Sequence, residues 1–295
     1  MNNFIETAKP RLKRFRESLY LLSRNKLSLL ALIILVLLAL IAILAPYIAP
    51  HPEDFADAAH MSEKLLPPSA QHWMGTDELG RDIFSRVLYG TRVSLRAALC
   101  AVGLSLVIGI PLGAIAGSFG GWVDNVIMRI TDVFLSFPPL LLAIAMVALM
   151  GSSLNNAVLA ISLSWWPWYT RLVRGQAISV KERKFVQAAE TIGTSRMKII
   201  FKHIIPNCIS PVIVQASMDI GGVILTVASL SFLGLGVKYP FASWGNIIND
   251  VNNAYVMTNY LFIWVPAGIC LLITVLGFNF VGDGLRDAFD PKMKR

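Results

Sequence analysis

Long runs without a charged residue constrain the fold of this 295-residue chain more than any other feature. The first run covers residues 27–50 and contains 24 residues. At about 1.5 Å per helical residue it is long enough to cross a hydrocarbon core of about 30 Å. The apolar region of a cleaved signal peptide is only about 7–15 residues long. We therefore interpret this run as a retained transmembrane anchor.

Further apolar runs cover residues 97–123, 133–170, 207–237 and 260–281, with Asp219 as the one charge inside them. The run 133–170 is too long for a single span, and the polar segment 151–156 divides it into two. The composition agrees with a membrane protein, because 15% of the residues are charged, against about 25% in soluble domains. We predict an all-α polytopic membrane protein with six transmembrane helices.

The net charge of +8 is distributed unevenly along the chain. In a soluble protein it would favour nucleic acid as a partner, but in a membrane protein Lys and Arg concentrate on the cytoplasmic side. With the N-terminus in the cytoplasm, six spans return the C-terminus there. We predict this arrangement, with membrane lipid around the helices and no nucleic-acid partner. It places 20 of the 26 Lys and Arg in the cytoplasmic segments 1–26, 124–132, 171–206 and 283–295.

One predicted span carries a small residue at every fourth position from Ala101 to Gly117. In an α-helix this spacing places the small residues on one face, where a second helix can approach closely. We interpret the stripe as a helix-packing surface in preference to a binding site. Its members after Ala101 are Ser105, Gly109, Gly113 and Gly117.

Asp219 lies well inside a predicted span. A carboxylate in the membrane is costly, so such residues usually serve a function. Asp219 is a candidate for the translocation path, where it would meet the cationic end of a substrate. A hydrogen bond between packed helices, or a position near the outer surface, is the alternative.

The segment 181–206 is the longest polar interruption in the second half of the chain. It reads as two short helices separated by Gly193, which tolerates the left-handed conformation that ends a helix. Ser195 is a candidate N-cap for the second helix, and Pro206 is predicted to end it. The apolar face of that helix is predicted to contain Met197, Ile200, Phe201 and Ile204.

This segment resembles the cytoplasmic EAA loop of ABC importer permeases, whose pattern is E-A-A-x3-G-x9-I-x-L-P. The resemblance implies that the loop docks into a groove on an ATPase subunit, the alternative being an amphipathic loop on the membrane surface. Three positions depart from the pattern, since Gln187, His203 and Ile205 stand where the family has Glu, Ile and Leu. The residues that the resemblance assigns to coupling are Gln187, Ala188, Ala189, Glu190, Gly193 and Pro206.

Other blocks resemble the second permease subunit of bacterial ABC importers for dipeptides, oligopeptides and nickel. They are GTDELGRDIFSRVLYGTRVSL (75–95), LSFPPLLLA (135–143), ASLSFLGLG (228–236), SWG (243–245) and GDGLRDAFDPK (282–292). The resemblance implies a type I ABC importer permease fold in the bacterial cytoplasmic membrane. It also implies three kinds of partner: a homologous second permease chain, two ATPase subunits and an extracytoplasmic substrate-binding protein. For the block 75–95, docking of the binding protein and a purely interfacial helix remain alternatives.

The resemblance divides the chain at residues 95 and 282. Residues 1–95 would hold the cytoplasmic N-terminus, the first span and an extracytoplasmic loop. Residues 96–282 would form the permease core with the coupling loop 181–206, and residues 283–295 a cytoplasmic tail. The expected function is half of a translocation pore for di- or oligopeptides, with nickel, a metal chelate or glutathione as the alternative cargo.

The sequence contains no P-loop motif, no H-E-x-x-H and no C-x-x-C, so we do not expect an enzyme. ATP and Mg²⁺ would be bound by the partner ATPase subunits, with no cofactor in this chain. The four histidines, His51, His60, His72 and His203, are scattered without ligand spacing, and no metal site is predicted. A stand-alone secondary transporter is less favoured because no internal repeat is evident. A membrane-embedded hydrolase would need a base in a span, and no histidine lies in one.

Overall fold

The computed structural model describes residues 25–55, 59–238, 241–251 and 254–289. Within these residues the secondary structure is helical, with no β-strand beyond an isolated bridge between Thr76 and Asp82. The predicted all-α class is confirmed. Most of the basic N-terminal segment and the end of the C-terminal tail lie outside the described residues.

Ten helices are present in the described residues, together with short 3-10 turns at Pro52–Phe55 and Met61–Glu63. A π-helical turn lies at Ile200–Ile204. In chain order the helices are α1 (Lys26–Ile48), α2 (Ile83–Phe119), α3 (Gly121–Leu135), α4 (Pro139–Met150), α5 (Leu154–Lys181), α6 (Lys184–Thr191), α7 (Arg196–Phe232), α8 (Trp244–Asn249), α9 (Ala254–Asn259) and α10 (Leu261–Phe289).

Polar side chains define where the long helices begin. The Asn25 side chain accepts a hydrogen bond from the Leu27 backbone N–H at the start of α1. The Asp82 carboxylate accepts one from Ser85 at the start of α2, and Ser153 accepts one from Asn156 at the start of α5. Each cap satisfies a backbone donor that has no partner inside the helix.

By length and composition, four helices in the described residues are suited to cross a membrane: α1, α2, α7 and α10. The pair α3–α4, bent by 87°, is a fifth candidate. Helix α5 has 28 residues, which is long enough for a span. It is not among the helices that are apolar enough over their length to be counted by composition. The composition criteria therefore find four or five of the six predicted spans in the described residues, and α5, which lies along α2, is the remaining candidate.

The segment 124–132, predicted to separate two spans, is helical instead. The predicted helix that begins after residue 82 continues without a break into the next predicted span, and together they form α2. Asp124 and Asp132, expected in a polar loop, lie on α3. They form ion pairs with Arg174 and Arg171 of α5, which explains how charged residues are held on a helix here.

Helices α2 and α5 run parallel. A Cβ atom added at Gly109 would meet Tyr169, while one added at Gly117 would meet Ala177. The residue numbers of the two helices therefore increase in the same direction. The Lys181 ammonium group donates to the Ser118 carbonyl at 2.9 Å, which joins the C-terminal ends of the two helices. The bent pair α3–α4 must therefore return the chain to the end where α2 began.

The first and last long helices run antiparallel to each other. The Ser28 hydroxyl at the start of α1 donates to the Phe280 carbonyl in α10 at 2.8 Å, and Leu35 packs against Gly277. The start of α1 and the end of α10 therefore lie at the same end of the helix bundle.

At the other end of the bundle, the segments 51–55, 59–82 and 241–251 form what we call the cap. The side chains of Arg81, in the cap, and Arg86, at the start of α2, are only 1% exposed. Arg81 bonds to Asp77 at 2.7 Å, and both arginines bond to Asp250, at 3.3 and 3.0 Å. Buried charges are tolerated when they are paired in this way, and the pairs attach the start of α2 to the segment that follows α8.

Candidate functional site

The loop 181–206 contains the two helical segments that the sequence predicted, α6 and the start of α7. Gly193 has φ +79°, as expected. Its N–H donates to Glu190, and the next N–H, from Thr194, donates to Ala189. This paired arrangement is a Schellman motif, which ends α6 sharply and sets the direction of α7.

The two adjacent alanines face opposite ways. Ala189 is 7% exposed and packs with Val186 in the cluster formed by the ends of α2 and α5. Ala188 and Gln187 are exposed, and the Gln187 amide donates to the Glu182 carbonyl at 3.3 Å. Of this pair, only Ala188 is available to a partner.

Glu190 is exposed and lines a cavity of about 390 Å³ beside Lys181 and Arg196. The cavity lies between the loop and the end of α2. Its walls combine one carboxylate with two cations, and one of these cations, Lys181, donates to the Ser118 carbonyl at the end of α2.

The prediction that Pro206 ends the second helix is wrong. Proline lacks the backbone N–H that would bond to residue 202, and the π-helical turn Ile200–Ile204 absorbs this defect directly before it. The helix then continues to Phe232 as α7. The loop is thus joined to a transmembrane helix without a break.

The π turn also changes which side chains are buried. Ile200 and Ile204 are buried, as predicted, but the third buried member of the face is Ile199. Met197 and Phe201, assigned to the same face, are 46% and 54% exposed. A π turn holds more residues than an α turn, so the 3.6-residue periodicity used for the prediction does not apply here.

The exposed apolar side chains of the loop form a candidate docking surface. Ile192 is 81% exposed. The Phe185 ring lies 6.4 Å from the His203 ring, which brings α6 and α7 together at this surface. The docking surface consists of Phe185, Ala188, Ile192, Met197 and Phe201.

The small-residue stripe of α2 lies against α5. A Cβ added at Gly113 would come within 2.4 Å of the Thr170 carbonyl oxygen. At Ser105, the hydroxyl donates to the Ser162 carbonyl at 3.1 Å. A Cβ added at Gly109 or Gly117 would likewise lie 2.9 or 2.7 Å from a carbonyl oxygen of α5. The stripe brings the helix that precedes the loop into close contact with α2.

Asp219 lies on α7 and lines a cavity of about 680 Å³ between α4, α5 and α7. Its carboxylate accepts a hydrogen bond from Gln215 at 2.9 Å. The Tyr169 hydroxyl lies near this carboxylate, although it has no partner within strict hydrogen-bond geometry. The cavity combines acidic, basic and aromatic groups, and its lining residues are Pro139, Trp165, Trp168, Arg171, Leu172, Gln215 and Asp219.

The cap holds a group of titratable residues that the sequence did not reveal. His51, His60 and His72, separated by up to 21 positions, each lie within 3.5 Å of a carboxylate oxygen. Burial acts to lower the pKa of His51, but the Gln71 carbonyl and nearby carboxylates outweigh it, and the pKa is raised. Burial raises the pKa of Asp250, against the opposing effect of Arg86 and Arg81. No local sequence motif predicts this cluster, because residues that are distant in sequence come together only in the tertiary fold.

Residues 109–295 match the family model of the binding-protein-dependent transport system inner membrane component. The chain belongs to this family, the permease subunits of ABC importers. Residues 13–68 match a second model, the N-terminal transmembrane domain of oligopeptide transport permease C. The predicted family is confirmed, and the permease is a multi-pass protein of the bacterial inner membrane.

The sequence of the permease is similar to those of known transport proteins over most of its length. It is 45% identical to the dipeptide transport system permease protein DppC of Alkalihalophilus pseudofirmus, over 95% of this chain and 90% of that protein. It is 44% identical to the nickel transport system permease protein NikC of Escherichia coli strain K12, over 80% of this chain and 84% of that protein. The relatives thus transport chemically different cargoes with similar permeases.

A solved structure confirms the predicted fold. The permease resembles a chain of the inward-facing MetNI methionine ABC transporter with a TM-score of 0.56, over 70% of this chain and 97% of that chain. The sequence identity is 18%, so the likeness concerns the fold alone.

Proposed function

We propose that the permease forms half of a translocation pore for di- or oligopeptides and receives the motion of ATPase subunits through the loop 181–206. The docking surface carries this proposal. It exposes large apolar side chains on a segment that is otherwise packed against α2 and α5. An amphipathic helix that presents apolar residues to a groove is a common mode of protein recognition.

The proposed partners are a homologous second permease, two ATPase subunits and an extracytoplasmic binding protein. Three observations support this set: the family is defined by its dependence on a binding protein, the fold resembles that of a permease in an ABC transporter, and no P-loop occurs in the sequence. ATP and Mg²⁺ would therefore be bound by the partners.

We propose that the loop and both chain termini face the cytoplasm. The start of α1 and the end of α10 lie at the same end of the bundle, and eight Lys or Arg fall within residues 171–206. The concentration of basic residues on the cytoplasmic side of membrane proteins supports this orientation. The cap would then be extracytoplasmic.

Purification and uptake test this function together. The affinity-tagged permease, extracted from its native membrane in mild detergent, is expected to bring ATPase chains with it. Vesicles containing that complex and its binding protein should accumulate a labelled dipeptide only when ATP is supplied. Preferred uptake of Ni²⁺, a metal chelate or glutathione would establish the alternative cargo. ATP-independent uptake by the permease alone would identify a secondary transporter and contradict the proposal.

We propose that Asp219 faces the translocation path. It lines the cavity between α4, α5 and α7 and is not neutralised by an ion pair among the described residues. Its carboxylate would attract the ammonium group of a peptide as the substrate passes.

Asp219→Asn is expected to reduce uptake of peptides with a cationic side chain several-fold more than uptake of neutral peptides. The charge is lost while the size of the side chain and the bond to Gln215 are retained. Asp219→Glu, which restores the charge, is the matched control and should retain the wild-type preference. The measurement is the ratio of initial uptake rates in vesicles. An equal loss for both classes of peptide would assign Asp219 to helix packing.

A further inference from the structure

His51, His72 and Asp82 come from three different parts of the cap. His51 follows α1, His72 lies in the connection between α1 and α2, and Asp82 caps the start of α2. One ring nitrogen of each histidine and one carboxylate oxygen lie within 4.8 Å of one another. Two imidazoles and a carboxylate are a ligand set that suits divalent transition cations such as Zn²⁺ and Ni²⁺.

We propose that His51, His72 and Asp82 bind one divalent transition cation in the cap. The His72 Nδ1 and Asp82 Oδ1 atoms are 3.0 Å apart. Ligands about 2.0–2.1 Å from a tetrahedral ion lie roughly 3.3 Å from each other. A cation would replace the proton that these two atoms share, and it would separate them by only a few tenths of an ångström.

Acceptor oxygens lie near the ring nitrogens that would not bind the cation. Histidines that bind metals usually donate their other ring N–H to an oxygen. The Nε2 atom of His72 lies 3.8 Å from a Glu63 carboxylate oxygen. His51 faces the Gln71 carbonyl at 3.3 Å and Glu53 at 3.5 Å, one at each ring nitrogen. Whichever nitrogen binds the cation, the other keeps an acceptor.

The burial of the three ligands leaves the site closed on one side and open on the other. The side chains of His72 and Asp82 are 5% and 1% exposed. The His51 ring stacks on the His72 ring with the ring centroids 4.8 Å apart, so it must turn to point a nitrogen at the cation. Its side chain is 31% exposed, which leaves room for this rotation and for water to complete the coordination. A bound ion would fasten the segment after α1 to the start of α2.

A neighbouring group, Glu53, Asp54 and His60, is the weaker candidate. It offers a single imidazole with two carboxylates, a set less suited to transition cations than two imidazoles with one carboxylate. It provides a matched control from the same cap.

The test is Zn²⁺ binding by the purified permease complex, without its binding protein and after treatment with a chelator. Isothermal titration calorimetry should show one more equivalent of Zn²⁺ in the wild-type complex than in His51→Gln or His72→Gln. The variants His60→Gln and His203→Gln should bind as much as the wild type. A parallel titration with Co²⁺ should give the intense visible absorption of a tetrahedral site in the wild type and not in His51→Gln. The same titration with Ni²⁺ shows which cation the site binds more tightly.

His51→Gln is decisive because His51 is partly exposed and its replacement should not disturb folding, which size-exclusion chromatography checks. If His51→Gln binds as much Zn²⁺ as the wild type, the proposal is wrong. Loss of the extra equivalent in His60→Gln alone would also overturn it, because the ligands would then belong to the neighbouring group.

Discussion

Gly113→Ala is expected to lower the free energy of unfolding of the permease by about 1–3 kcal/mol, the usual cost of overpacking a core. The added Cβ would lie 2.4 Å from the Thr170 carbonyl oxygen and 2.8 Å from the Val173 Cβ. Because the first of these is a backbone atom, it cannot move aside as the end of a flexible side chain can. Gly113→Leu should have a larger effect and should separate α2 from α5.

Gly103→Ala is the matched control, because it lies on the same helix and an added Cβ would meet nothing within 4 Å. Thermal unfolding in detergent and the amount of complex recovered from membranes are the measurements. We expect a clear loss for Gly113→Ala and wild-type behaviour, or a small gain in stability, for Gly103→Ala. Equal stability of the two variants would show that the α2–α5 contact is looser than the structure indicates.

Substitutions in the loop are expected to uncouple ATP hydrolysis from transport. Ala188→Trp adds bulk to an exposed position on the docking surface. At Gly193, valine would have to adopt a left-handed conformation, at a cost of roughly 1–2 kcal/mol or more, and should redirect α7. Since about 1.4 kcal/mol corresponds to a tenfold change in an equilibrium, we expect a roughly tenfold fall in stimulated ATP hydrolysis.

Controls for the loop variants follow from the same geometry. Ala188→Ser preserves the small size, and Gly193→Asn places a residue that tolerates the left-handed conformation. Both should retain hydrolysis stimulated by loaded binding protein in reconstituted vesicles. Ala189→Trp is unsuitable, because Ala189 is buried in the permease itself. Normal stimulation and uptake in Ala188→Trp and Gly193→Val would exclude the loop as the coupling element.

The sequence predicted the features that depend on local chemistry or on helical spacing. Uncharged runs identified the transmembrane class, and the glycine requirement at position 193 predicted the left-handed turn. The four-residue spacing from Ser105 to Gly117 predicted a packing face, and the structure places α5 against it. The motif blocks indicated the family to which the chain belongs.

Features that depend on tertiary contacts were not predictable in the same way. Charge at Asp124 and Asp132 suggested a loop, because their pairing with arginines of α5 is not visible in a linear pattern. The continuation of α7 past Pro206 depends on a π turn, which has no simple sequence signature. The grouping of His51 and His72 with Asp82 likewise requires the folded cap.

Coupling through the loop 181–206 requires that this loop contact an ATPase subunit on the cytoplasmic side. A photoreactive amino acid at position 192, which is 81% exposed on the docking surface, tests this claim in intact cells. The same group at position 61, which is 67% exposed in the cap, is the control. We predict that illumination cross-links position 192 to an ATPase subunit and does not cross-link position 61 to it. An ATPase adduct from position 61, or none from position 192, would contradict the account.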